Sequence, residues 1–270
     1  MSLVVVRALG LVTVQDAGRA GHMHEGLAPG GALVRAALVA ANRAVGNADF
    51  TPAIEVLGRL SIRAEAAVEI ATDRTPRRVL ERDAELLIES EPQRATYLAI
   101  RGGVDAPRIL GSASTHVAAQ LGSALVAGQR VSSAGASERV GVASAAANRG
   151  GAIHVLPGPD AYAFAPDAFA ALLSLPYRIS PQSDRVGTRL VGPVIARSSA
   201  PDRSRPTVRG AIEVPRDGQP IVLGPEHPTT GGYPIVGVIC AADFDRFFAT
   251  RIGGDVSFEV GHVATSRARS

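Results

Sequence analysis

The chain has no lysine: all 28 basic residues among its 270 are arginine. That gap removes whole classes of mechanism. No Schiff base to a carbonyl substrate forms on a lysine of this chain, and pyridoxal phosphate has no anchor. A Walker-type phosphate loop ends in Gly-Lys-Ser/Thr and is excluded. Covalent biotin, which rides on a lysine, is excluded as well. Tryptophan is absent, aromatics make up 4% of the residues, and Cys240 is the single cysteine. One cysteine makes no internal disulfide. It sits in the apolar run Ile235–Ala242 and reads as a small buried hydrophobe. No apolar run approaches the roughly 18–20 residues of a membrane span. Met1–Gly10 lacks the basic start and long apolar stretch of a signal peptide. The expected location is therefore the cytoplasm.

The formal net charge is +3 and the pI about 9.6. The arginines are spread along the chain from Arg7 to Arg269. A nucleic-acid surface calls for a basic stripe, often interleaved with stacking aromatics, and neither is present. At about 150 residues per domain, the length fits one large domain or two smaller ones.

Hydrophobic patterning is mostly that of short strands. Leu3–Val6 and Leu11–Val14 read as two strands broken by a turn at Gly10. Asp16–Gly31, with five glycines, is a long loop, and long loops inside compact domains are usually functional or disordered. Ala32–Val45 is the best helix, closed by Gly46-Asn47. Strand runs follow at Ala53–Leu57, Leu60–Arg63, Ala67–Ala71, Glu85–Ile88, Tyr97–Ile100 and Ile153–Leu156. Asp167–Leu175 is a short helix. Val208–Val214, Ile221–Leu223 and Ile235–Cys240 are strands, Ala241–Thr250 a helix, and Val256–Val260 a last strand. The regular strand–helix alternation of a doubly wound sheet is missing. The expected class is β-rich α+β, with domains at 1–160 and 161–270.

Three constellations carry chemistry-bearing residues. The first is Gln15-Asp16-x-Gly18-Arg19-x-Gly21-x-x-His24-Glu25, a glycine-hinged loop. Its arginine fork suits carboxylate or phosphate oxygens. Asp16 and His24 suit proton relay, although an Asp16–Arg19 bridge that merely pins the loop fits the same residues. His22-x-His24-Glu25 offers two or three metal-type ligands, and nothing specifies the remainder of a set. The second is Ser183-Asp184-Arg185-x-Gly187-x-Arg189, either an anion site or a self-paired turn. The third is His227-Pro228-Thr229-Thr230-Gly231-Gly232-Tyr233-Pro234, whose backbone N–H groups suit an anion nest or simply a tight turn. Asn42 lies on a polar stripe of the helix.

These stretches, taken in order, resemble the KipA-like family, also called allophanate hydrolase subunit 2 or the C component of 5-oxoprolinase, related to the carboxyltransferase portion of urea carboxylase. The resemblance runs through Val14–Arg19, Ala41–Asn47, Ala53-Ile54-Glu55, Arg101–Asp105, Leu110–Thr115, Val155–Pro159, Ser183–Gly187, Val214–Pro220 and Thr229–Pro234. It implies two cyclophilin-like β-barrel domains with a few short helices. It implies a KipI-like partner (the B component of 5-oxoprolinase, or allophanate hydrolase subunit 1), a third subunit, and ATP-dependent hydrolysis of 5-oxoproline to glutamate. ATP is then bound with or by a partner. On this reading Asp16, His24, Glu55 and Asp105 are the catalytic candidates. Gln15, Arg19, Asn42, Ser183, Asp184, Arg185, Thr229, Thr230, Gly231, Gly232 and Tyr233 are the substrate- or anion-binding ones, and no metal is expected.

Two other readings stay open. One is a carboxyltransferase subunit acting on urea or another amide through carboxybiotin carried on another chain. The other is a non-catalytic regulator that binds a KipI-like kinase inhibitor. Three departures from the family pattern stand out. Val34 occupies the place of an acid, Ile235 the place of a lysine after Gly-Tyr-Pro, and His22 the place of a tyrosine.

Overall fold

The structure is a computed structural model and describes residues 2–135, 151–198 and 203–262. The chain divides into two compact units, 1–148 and 149–270. The division precedes the expected 160/161 boundary, because Ile153–Pro157 pairs with Ile235–Ile239 in the second sheet.

The first unit is organised by two long antiparallel strands, β1 (Ser2–Gln15) and β2 (Ala53–Ala64). The turn expected at Gly10 is not there. Gly10 lies opposite Gly58, and a Cβ on either would fall 2.2–2.3 Å from the carbonyl oxygen of Leu57 or Leu9. Two facing glycines let the backbones pass where side chains would have broken the pair. The same pairing merges the two runs 53–57 and 60–63 into one strand. The remaining strands are β3 (Val68–Thr72), β4 (Arg78–Leu80), β5 (Glu85–Glu89), β6 (Thr96–Ile100) and β7 (Arg130–Ser132). The sheet order is β4-β3-β6-β2-β1-β7, with β5 on the far half of β2. Inward residues of period two, such as Val12 and Val14 facing Ile54 and Val56, form its core.

The helix α1 (Arg35–Val45) packs across β3 and β6 and buries Leu38, Ala41, Asn42 and Val45. It ends at Gly46 in the left-handed conformation, as expected. It begins three residues later than its apolar pattern suggests. The backbone N–H groups of Leu33 and Val34 are drawn instead to Glu55 and Tyr97.

The second unit holds β8 (Ile153–Pro157), β9 (Tyr177–Ile179), β10 (Gly187–Val191), β12 (Ala211–Glu213), β13 (Ile221–Leu223), β15 (Ile235–Ile239), β16 (Asp255–Val256) and β17 (Phe258–Val260) in one sheet. A two-strand ribbon is made of β11 (Arg205–Pro206) and β14 (Thr230–Gly231). The sheet nearly closes on itself. β16 pairs with β9 at one end, and β17, one residue further along the chain, pairs with β8 at the other. The segment 255–260 thus covers part of both end strands, β9 and β8. Two helices accompany it, α2 (Ala168–Ser174) and α3 (Phe244–Ala249). The β-rich α+β class with a few short helices is the one found. Among the described residues, no helix is long and apolar enough to cross a membrane.

Candidate functional site

The glycine-rich loop that follows β1 in the first unit is a tied structure. Asp16 is buried, and its carboxylate accepts four hydrogen bonds. These come from Ser112 Oγ (2.5 Å), Ser114 Oγ (2.5 Å), and the backbone N–H groups of Gly18 and Ala113 (2.8 Å each). Burial alone would raise its pKa, but these donors outweigh it and hold the carboxyl below its ordinary value. A carboxylate stabilised in this way is a weak proton acceptor. Arg19, also buried, donates to the backbone carbonyls of Ile109 and Ser114. Its backbone N–H donates to the Pro29 carbonyl at 2.7 Å, and Ala32 N–H donates to the Asp16 carbonyl. Asp16 and Arg19 therefore each grip the 109–114 segment rather than each other.

Gln15 donates to Thr13 Oγ1 and to the Thr115 carbonyl. Glu55 is fully buried, and its Oε2 accepts from Leu33 N–H at 2.8 Å and from the Tyr97 hydroxyl at 2.5 Å. That hydroxyl in turn accepts from Val34 N–H. Asn42 is spent on the end of the helix: it donates to the Thr51 carbonyl at 2.8 Å and accepts from Asn47 Nδ2 at 3.0 Å. His24 stands apart. It is exposed, and with His22 it flanks Glu25 at 3.5 and 3.0 Å. Among the described residues, no three His, Cys, Asp or Glu side chains gather as metal ligands would.

Beside the tied loop lies a cavity of about 290 Å³. Val14, Arg19, Asp105, Ser114, Thr115 and Arg130 are among the residues that line it. Asp105 is exposed at its wall. The volume sits at the low end of the roughly 300–1,000 Å³ of ligand pockets.

In the second unit, Ser183 and Asp184 are turn chemistry. Asp184 Oδ1 accepts from Val186 and Gly187 N–H, and Ser183 Oγ accepts from Arg189 N–H. Arg185 is buried against Glu226, Nε to Oε1 at 2.5 Å.

The Thr229–Tyr233 turn is different in kind. Thr230 and Gly232 are exposed, and so is Tyr233, at 43%. Beneath the turn lies Glu213 of β12, only 5% exposed. Its Oε1 is buried with no hydrogen-bond partner. A Cβ on Gly231 would sit 2.4 Å from that oxygen and 2.9 Å from Thr207 Cγ2. Burial pushes the Glu213 carboxyl up to about 7. The Thr207 hydroxyl lies 3.0 Å from His227 Nδ1. Burial, together with the charge of Arg209, lowers the pKa of His227, so this imidazole is neutral at pH 7. Asp160, fully buried, accepts from Ile235 N–H at 2.8 Å and pairs with Arg205. Ile235 itself lies in the core with Ala211 and Leu223, so no cation stands where the family pattern has a lysine.

Sequence pattern alone singles out the turn but not Glu213, Thr207 or Arg205. A usable signal is nevertheless there, namely one acid inside an apolar strand run, Ala211-Ile212-Glu213-Val214. Ser112 and Ser114 are equally legible as same-face residues of an extended segment.

Comparison with known proteins places this geometry. Residues 80–260 match the model of the carboxyltransferase domain, subdomain A and B. The chain is 34% identical over 282 positions to the C component of 5-oxoprolinase from Escherichia coli K12, covering 95% of this chain and 90% of that one. It is 29% identical to the corresponding 5-oxoprolinase component of Haemophilus influenzae, covering 92% and 87%. Among solved structures, TTHA0988 superposes with a TM-score of 0.82 at 29% identity, over 96% of this chain and 55% of that one. Kluyveromyces lactis urea carboxylase shares the fold, with a TM-score of 0.83 at 21% identity, over 97% of this chain and 27% of that one. The chain thus spans about half of the first structure and about a quarter of the second.

Proposed function

The chain belongs to the carboxyltransferase subdomain A and B family, and from that premise we propose that it is one subunit of an ATP-dependent complex that opens 5-oxoproline to glutamate. The observation that carries this reading is the 34% identity, nearly end to end, with a protein named for that activity. A lactam is a resonance-stabilised amide and a poor electrophile. ATP supplies a phosphoryl group that turns the lactam oxygen into a leaving group. This chain has no lysine and no Walker loop. We therefore assign ATP to a partner, a KipI-like subunit or a third subunit.

The residues divide by what they are free to do. Asp16, Glu55, Gln15 and Asn42 hold loops in place, and we assign them positioning parts. The Thr229–Tyr233 turn, exposed above a buried acid, is the surface we assign to substrate. His24 and Asp105 are the solvent-facing members. The likeness to urea carboxylase is one of fold, and the lysine-free chain carries no biotin of its own. Reconstitution with the two partner subunits, followed by assay of glutamate release from 5-oxoproline, tests the proposal.

A further inference from the structure

We propose that the cavity of the first unit is a binding site for a free α-amino acid with an aliphatic side chain. This site shares no residue with the turn assigned to substrate, and it does not depend on the 5-oxoproline reading.

The walls are fastened by backbone hydrogen bonds. Thr115 N–H donates to the Val14 carbonyl and Leu125 N–H to the Val12 carbonyl, so both segments are tied to β1. Asp105 N–H donates to the carbonyl of Ser132 in β7. His116 and Leu121 exchange backbone hydrogen bonds of 2.8 and 3.1 Å, and this fold-back brings Gly122 against Thr115. A site held in shape in this way loses little to ordering when it binds. Much of its surface is aliphatic, and Val14, Val104, Leu125 and Val131 are all buried there. Such walls offer apolar area and no hydrogen bonds.

Polar groups are set into this lining. The hydroxyls of Ser112 and Ser114 are spent on Asp16. That of Thr115, a residue only 3% exposed, has no hydrogen-bond partner among the described residues. A buried polar group of this kind calls for an explanation. Gly122 keeps the space before it open, since a Cβ there would stand 3.1 Å from Thr115 Oγ1. The Arg19 guanidinium reaches the same wall, where it bonds the carbonyl of Ser114, the residue before Thr115. Asp105 stands exposed on the lining, and no side chain among the described residues pairs with its carboxylate. Arg130, a cation on that lining, is held by Glu65, Nε to Oε1 at 2.9 Å.

A guanidinium beside an open hydroxyl suits a carboxylate, and an unpaired carboxylate suits an ammonium. An aliphatic α-amino acid carries both groups on one carbon, with a branched side chain for the valine and leucine walls. A branched fatty acid has nothing for Asp105, and a branched alkylamine nothing for Thr115. Glutamate would bring a second carboxylate against apolar walls, which is costly.

The test is calorimetric titration of the full chain with leucine, with isocaproate (leucine without its ammonium), with isoamylamine (leucine without its carboxylate) and with 5-oxoproline. Leucine is expected to bind at one site per chain, and each of the other three at least about tenfold more weakly. Asp105→Asn should weaken leucine about tenfold and leave isocaproate unchanged, whereas Thr115→Val should weaken leucine and isocaproate but not isoamylamine. The comparison of ligands on the wild type is decisive even if a variant fails to fold. No saturable binding of leucine up to about 10 mM, leucine no tighter than isocaproate and isoamylamine, or 5-oxoproline tighter than leucine overturns the proposal. Glutamate release is not the readout, so this proposal and the 5-oxoproline reading fail separately.

Discussion

Ser114 Oγ donates to Asp16 Oδ1 at 2.5 Å and accepts from the Asp16 backbone N–H at 2.9 Å. The two residues are 98 positions apart, and this reciprocal pair is the clasp that joins the glycine-rich loop to the 109–115 segment. Asp16→Asn removes the charge from a site with four donors and is expected to cost about 1–3 kcal/mol at pH 7. The folded pKa is held below the unfolded value. Its stabilisation is therefore complete above about pH 4 and is lost as pH falls further, through the folded value. Denaturant unfolding at pH 7 and pH 3 should show a wild-type advantage that shrinks at the lower pH. An equal gap at both would show that the carboxylate charge is not what the clasp uses.

Arg185 and Glu226 form a buried ion pair rather than an open anion site. Arg185→Ala leaves a buried carboxylate alone and is expected to destabilise by about 3–5 kcal/mol. Replacing both, as Arg185→Met with Glu226→Leu, should recover most of that loss. If the single variant melts like wild type and only KM changes, Arg185 binds substrate instead.

Gly31 has φ +82°, and a Cβ there would sit 2.8 Å from the Ala17 carbonyl atoms. Gly26 has φ +85° with open space around it. Alanine at 26 meets only the left-handed backbone penalty of about 1–2 kcal/mol, whereas alanine at 31 also collides with backbone and should lower the melting temperature further. Equal losses would mean that the loop is not tightly folded back on Ala17.

The closing seam of the second sheet depends on His154. Asp243 accepts from both its backbone N–H and its Nδ1 at 2.7 Å, and Glu259 lies 3.0 Å from Nε2. Burial opposes ionisation of Asp243, but the His154 hydrogen bonds and Arg246 lower its pKa. Asp243→Asn should therefore speed amide exchange across Phe258–Val260 near neutral pH. The wild type should approach that behaviour as the medium is acidified through the folded pKa of Asp243.

Much of this is legible in the sequence. Short strands, the Gly46 stop and the Asp16–Gly31 loop follow from periodicity and glycine chemistry alone. What escapes are facts that depend on distant partners. The single β1 strand is visible only once Gly58 is set opposite Gly10. The late start of α1 reflects the pull of Glu55 and Tyr97 on Leu33 and Val34. Asp16 and Glu55 stand out by their neighbours in sequence, yet they spend their oxygens on backbone and hydroxyl donors far along the chain. Glu213 takes its character from burial beneath a turn, which no local pattern specifies.

The most direct test of the central claim is glutamate release from 5-oxoproline by this chain assembled with a KipI-like subunit and the third subunit. Release is expected to require ATP and all three chains, and not to require bicarbonate or a biotinylated protein. Release that depends on bicarbonate and biotin, or a stable assembly that turns over no 5-oxoproline, would contradict it.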